Sequence, residues 1–153
     1  MGSNLKPDQF IQINIVVRDI EAAATAWAAV LGRDVPEIRL NHLESEPEYP
    51  YTYRGKESSC DLKVCDIDMG SFVIELHQPM GGPDTFQEYL ERHGNGVHHL
   101  GFEVGENREA VLKKLSDLGI DTNRTVGYYP GSSWTIVDSE DLMGVNLNIK
   151  PVR

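Results

Sequence analysis

Hydrophobic and polar residues alternate in short runs along most of the chain, and stretches of helical spacing interrupt them. Phe10–Val17 reads F-I-Q-I-N-I-V-V, which places Ile11, Ile13, Ile15 and Val17 on one face of a strand and Gln12 and Asn14 on the other. Asp19 then caps a predicted helix over Ile20–Leu31, with Ala22, Ala23, Trp27 and Val30 at near-helical spacing and Gly32 as its terminator. Strands follow at Pro36–His42, Ser59–Asp66 and Phe72–His77, and the intervening Glu44–Tyr53 is too polar and too rich in proline for a regular element. A short helix over Thr85–His93 leads to the turn Gly94-Asn95-Gly96.

The same order then recurs. His98–Val104 is a strand, Arg108–Leu118 a helix with Val111, Leu112, Leu115 and Leu118 on one stripe, and Thr122–Tyr128, Trp134–Asp138 and Val145–Lys150 are strands. Each half reads β-α-β-β-β, over residues 9–78 and 97–150, with 79–96 as a linker carrying the short helix. Three sequential strands after a helix favour an α+β fold with a mostly antiparallel sheet, and two such sheets side by side make a cup. Aligning the halves by their alternation sets Gln12 against His99 and Glu75 against Asn148. By strand parity each half aims one polar residue from its first strand and one from its last at the same concave surface, the geometry of a metal or substrate-oxygen site. The same parity turns His98 toward the core as a satisfied buried histidine, and leaves His77 near the rim.

At 153 residues the chain is long enough to bury a core without disulfides. Cys60 and Cys65 fall on opposite faces of one strand and are expected as free thiols. The net charge of −10 disfavours nucleic acid and anionic membrane surfaces as partners. No apolar run has a bilayer-spanning length and no secretory segment is evident, so the expectation is a cytoplasmic protein.

The motifs G-N-G-V-H-H-L-G-F and F-V-I-E-L-H-Q-P, within the repeated order of elements, resemble the vicinal oxygen chelate superfamily. That superfamily includes glyoxalases, extradiol dioxygenases, bleomycin-resistance proteins and methylmalonyl-CoA epimerases, and these motifs look most like the epimerase branch. The resemblance covers residues 9–150 and implies a divalent metal ion at the positions held here by Gln12, Glu75, His99 and Asn148, with no nucleotide cofactor. Two positions depart from the pattern. Gln12 stands where a histidine is usual, and Asn148 where a glutamate is usual. Without a metal, the four residues would form a polar cavity in which Gln12 and Asn148 hydrogen-bond a substrate oxygen.

The resemblance implies an epimerase or racemase that moves a proton next to a carbonyl through an enolate. His99 would polarise the carbonyl, and Glu57 or Glu75 would act as base, with Glu46, Glu48 and Glu103 as further candidates. Tyr51, Tyr53, Tyr128, Tyr129 and Trp134 are expected around the mouth of the cup, favouring a flat aromatic ketone such as a dihydroisoflavone. Glyoxalase-type lyase, dioxygenase and non-catalytic binding or resistance protein remain alternatives. A dioxygenase iron site usually presents two histidines, and one of those positions is Gln12. A homodimer is expected, as for many small soluble proteins.

Overall fold

The computed structural model describes residues 2–120 and 123–152. In chain order the elements are β1 (Phe10–Val16), α1 (Ile20–Leu31), β2 (Ile38–Glu44), β3 (Thr52–Tyr53), β4 (Lys56–Glu57), β5 (Ser59–Asp68) and β6 (Val73–Pro79). They continue with α2 (Thr85–His93), β7 (Gly96–Glu103), α3 (Arg108–Asp117), β8 (Arg124–Tyr129), β9 (Ser132–Val137), α4 (Glu140–Met143) and β10 (Asn146–Lys150). The fold is α+β. Thr122, where the sequence starts the eighth strand, lies outside the described residues.

The strands form one curled sheet in the order β2-β5-β6-β1-β7-β10-β9-β8-β3-β4. The two expected sheets are therefore joined edge to edge, by antiparallel pairing of β1 with β7. The pairs β1–β6 and β7–β10 are parallel and the other pairings antiparallel. The connection after β2 is not irregular throughout, as its composition suggested. It crosses to the other half, where β3 and β4 form a small hairpin and Thr52 pairs with Val126 of β8.

Strand alternation divides the core between the two faces of this sheet. On the outer face α1 covers Cys65, Ile67, Ile74 and Leu76 with Ile20 and Ala24, and α3 covers Val137, Leu147 and Ile149 with Val111, Leu112 and Leu115. On the inner face Phe86 and Leu90 of α2 pack with Val16, Leu62, Val64 and Ile136. Cys60 is buried on the inner side and Cys65 on the outer, both as free thiols.

The buried stripes of the outer helices differ by a step from the pattern expected. Ala22 and Val30 are exposed, and the packed stripe of α1 runs through Ile20, Ala24 and Ala28 with Ala23, Trp27 and Leu31 beside it. Leu118 falls past the end of α3 and is exposed. Helix α1 starts where the Asp19 side chain accepts a hydrogen bond from Ala22 N, and ends at Gly32 in the left-handed conformation. Asp84 does the same for α2, accepting from Phe86 N at 2.7 Å and Gln87 N at 2.8 Å. That cap fixes Phe86, which meets the rings of His77 and His98 at 4.6 and 4.7 Å.

Candidate functional site

The inner face encloses a cavity of about 330 Å³. Gln12, Glu75, His99 and Asn148 all line it, so the four residues that parity selected do share one space. Asn14, two residues beyond Gln12 on the same face, is buried beneath it. Its side-chain amide Nδ2 donates to Glu75 Oε1 at 3.0 Å and bonds His77 Nδ1 at 3.1 Å. His77 Nε2 lies 3.2 Å from the same Glu75 oxygen. Burial lowers the His77 pKa, which keeps its ring neutral, so Glu75 is supported by dipoles and not by a cation. The other lining carboxylate, Asp66, is paired with Arg39 at 3.1 Å.

Two bulges set the first-strand side chains. Register shifts between Phe10 and Gln12 on β1, and opposite Asn14 and Ile15 on β7, make Ile11 and His98 the extra residues. Ile11 therefore leaves the face of Ile13 and Ile15 and lines the cavity. His98, next to His99 in sequence, stays on the inner side of the sheet, hydrogen-bonded to it. His98 Nδ1 and His99 Nδ1 are 2.9 Å apart, His98 Nε2 is 2.9 Å from Thr85 Oγ1, and His99 Nε2 is 3.1 Å from Gln12 Oε1. His98 is thus buried and satisfied, as expected, but by polar partners. Both rings are 1% exposed. Burial depresses the pKa of each, to about 3 for His98 and well below the ordinary value for His99, so both are neutral at neutral pH.

Glycines make room for two of the lining side chains. Gly101 faces Gln12 across the strand pair, and a Cβ there would lie 2.8 Å from Gln12 Cβ and Oε1. Gly127 faces Trp134, whose ring occupies the space a Cβ would take, at 2.0 Å from Cζ2. The indole reaches the cavity wall beside Tyr128 and Tyr129, with Leu43, Leu62 and Ile136 completing an apolar side.

The structure sorts the other expected site residues. Tyr128 and Trp134 line the cavity; Tyr51 and Tyr53 do not. Tyr51 is fully buried in the core, its ring 6.3 Å from Trp134 and edge-on to it. Tyr53 bonds Glu88 through its hydroxyl, within a cluster where Arg54 reaches Glu88 at 2.6 Å and Asp138 at 2.7 Å. Glu57 is exposed on the two-residue strand β4 at the outer edge of the sheet, away from the lining residues, and Glu46 and Glu48 are exposed in the loop before β3. Glu103 is half-buried and also outside the lining. Tyr129 lines the cavity beside Tyr128, and His77, expected near the rim, is buried against Glu75. Asn14 had the readable signal of standing two residues from Gln12 on the same face. Phe86 had none, because its position depends on how α2 docks.

The donor set does not fit a divalent metal as these residues stand. His99 Nε2 is engaged with the Gln12 side-chain amide at 3.1 Å and would have to leave it to ligate a metal. Glu75 Oε1 already accepts from Asn14. Among the described residues no three His, Cys, Asp or Glu side chains are grouped to hold a metal. Asn148 Oδ1 is buried with no hydrogen-bond partner among the described residues.

The sequence matches the Glyoxalase/Bleomycin resistance protein/Dioxygenase superfamily over residues 11–136, and the chain belongs to that superfamily. Among solved structures it is similar to a methylmalonyl-CoA epimerase from Mycobacterium tuberculosis, at 17% identity, with 99% of this chain and 95% of that one covered and a TM-score of 0.58. A Streptomyces coelicolor methylmalonyl-CoA epimerase in complex with 2-nitronate-propionyl-CoA gives 21% identity, 96% and 94% coverage and a TM-score of 0.59. A hypothetical protein from Bacillus halodurans C-125 gives 19%, 92% and 91%, and 0.61. At these identities the likeness is one of fold. None of the curated proteins matches the sequence.

Proposed function

We propose that the protein is an isomerase of the epimerase or racemase type, in which Glu75 removes a proton from the carbon beside a carbonyl and His99 stabilises the resulting enolate. The observation that carries this reading is the state of Glu75: it is the one carboxylate among the described lining residues without a cationic partner. Asn14 and His77 orient it and leave it free to take a proton. The electrophile is the neutral His99 Nε2–H, whose present acceptor, Gln12 Oε1, is replaced by the substrate carbonyl oxygen. As charge grows on that oxygen, the N–H bond to it strengthens more than in the ground state. Inversion follows when the planar enolate turns over in the cavity and protonated Glu75 returns the proton to its other face. The methylmalonyl-CoA epimerases among the structural neighbours support this reaction type.

The wall of Tyr128, Tyr129 and Trp134 supports a flat aromatic ketone as substrate. The test is the fate of the proton next to the carbonyl, followed by NMR in heavy water with chiral aromatic ketones. Enzyme-dependent exchange without oxygen consumption is expected. Tight binding without exchange would make the protein a binding or resistance protein, oxygen uptake would make it a dioxygenase, and turnover restricted to CoA thioesters would refute the aromatic ketone. As a further part of the same reading we take the protein to be a homodimer, for which light scattering at micromolar concentration is the check.

A further inference from the structure

Four side chains that carry charge at neutral pH line the cup among the described residues: Glu75, Asp66, Arg39 and Lys150. The first three stand together. Asp66 is in register with Glu75 across β5 and β6, and its carboxylate is paired with Arg39 at 3.1 Å. The charges beside the base therefore nearly cancel. Lys150 is on another wall. It follows Asn146 and Asn148 on the inward face of β10, and Asn146 is in register with His99 of the neighbouring β7. Its register partner on β7, Glu103, does not line the cup. The Lys150 ammonium lies 5.1 Å from the centre of the Tyr129 ring, and Tyr129 also lines the cup, so the aromatic face holds the charge at the wall. Burial and the His98 and His77 rings keep His99 uncharged, and the next influence on it is the Lys150 charge. For His77, beside the base, burial comes first and the cation that acts on it is Arg39.

We propose that Lys150 supplies the fixed positive charge toward which negative charge moves when the substrate loses its proton, and that Tyr129 positions it. The proposal rests on the isomerase reading. In that step the C–H proton passes to the Glu75 carboxylate, and the electron pair left behind is drawn onto the carbonyl oxygen at His99. One negative charge thus leaves the wall of Glu75, where Arg39 and Asp66 offset each other, for the wall of Lys150. A cation there stabilises the enolate more than the neutral ketone, which is the condition for speeding the step and not merely tightening binding. The same asymmetry sets how the substrate lies, with its carbonyl toward β7 and β10 and its acidic carbon toward β6.

Exchange of the proton beside the carbonyl in heavy water is compared for wild type, Lys150→Met and Lys150→Arg, with ketone affinity read from Trp134 quenching. Lys150→Met keeps the stem of the side chain and should slow exchange by about 10–10²-fold at nearly unchanged affinity, while Lys150→Arg stays near the wild-type rate. Lys150→Gln serves if Lys150→Met does not fold, and Tyr129→Leu should lose rate in the same sense but less. A second readout separates charge from shape. In the Glu75→Gln background, an aromatic 1,3-diketone bound in the cup is titrated to its enolate by ultraviolet absorbance. Adding Lys150→Met should raise that midpoint by about one pH unit, a change of about tenfold in the ionisation constant, and adding Lys150→Arg should not. Exchange in Lys150→Met as fast as in the wild type would overturn the proposal, and so would slowed exchange with an unmoved midpoint. Failure of the isomerase reading looks different: no bound ketone exchanges in any variant, while the midpoint still follows the charge at position 150.

Discussion

His98 and His99 are consecutive on one strand, and yet their Nδ1 atoms are hydrogen-bonded at 2.9 Å. Regular pleating would send these rings to opposite faces of the sheet. The β7 bulge opposite Asn14 and Ile15 brings both to the inner side, one against the cavity and one against α2. The catalytic role assigned to His99 depends on that irregularity. His99→Ala removes the donor to the substrate oxygen and should lower kcat by about 10²–10³-fold, the usual effect of deleting one such donor. Steady-state proton exchange measures it, and a full retention of rate would assign the electrophile elsewhere.

Glu75→Gln keeps the size and the acceptor oxygen that Asn14 requires but removes the base. Exchange should fall by roughly 10²–10⁴-fold with ligand affinity nearly unchanged. Glu57→Gln, at the outer edge of the sheet, should leave the rate unaltered. The opposite ranking of the two variants would move the base to Glu57.

Gly101→Ala and Gly127→Ala test the shape of the cavity from behind. The first puts a methyl group 2.8 Å from Gln12 Cβ, and the second pushes into the Trp134 ring. Each should cost about 1–3 kcal/mol in denaturant unfolding. Gly127→Ala should also weaken aromatic ligand binding, measured by quenching of Trp134 fluorescence, because the indole must leave the wall.

Stability should fall in acid. The folded pKa of His98, lowered to about 3, and that of His99, also lowered, lie below their unfolded values. The unfolded chain therefore binds more protons below about pH 6.5, and the contribution present above that pH is lost as pH falls toward 3. Glu88, held at about 2 chiefly by Arg54, acts in the same sense over a lower range, from its ordinary value downward. Asp84, raised to about 6 by burial, acts oppositely and stabilises as pH falls from about 6 to 4. Urea midpoints between pH 7 and 4 should decline in the wild type, and decline less in a folded His98→Phe variant.

Period-2 alternation made the cup and its four polar residues readable, because one face of each long strand had to be buried whichever face carried the polar groups. It also carried the errors. Counting by twos cannot see a bulge, so Ile11 was assigned with Ile13 and Ile15, and His98 was turned away from the side it shares with His99. Gln12 and Asn14 lie on the face opposite Ile13 and Ile15 as the alternation requires, and both are buried there, on the inner side where α2 and Tyr51 also pack. Tyr51 and Tyr53 sit in a proline-broken stretch whose tyrosine alternation is too short to show which strand it joins. Their destinations, a core position and the Arg54–Glu88 cluster, follow from a crossing between halves that leaves no local signal.

The most direct measurement of the central claim is proton exchange at the carbon beside the carbonyl, in heavy water, for ketones already shown by Trp134 quenching to occupy the cup. The wild type should replace that proton with deuterium and invert the adjacent centre, while Glu75→Gln binds the same ketone and leaves the signal intact. Ketones that bind the wild type and keep their proton indefinitely would contradict the isomerase assignment.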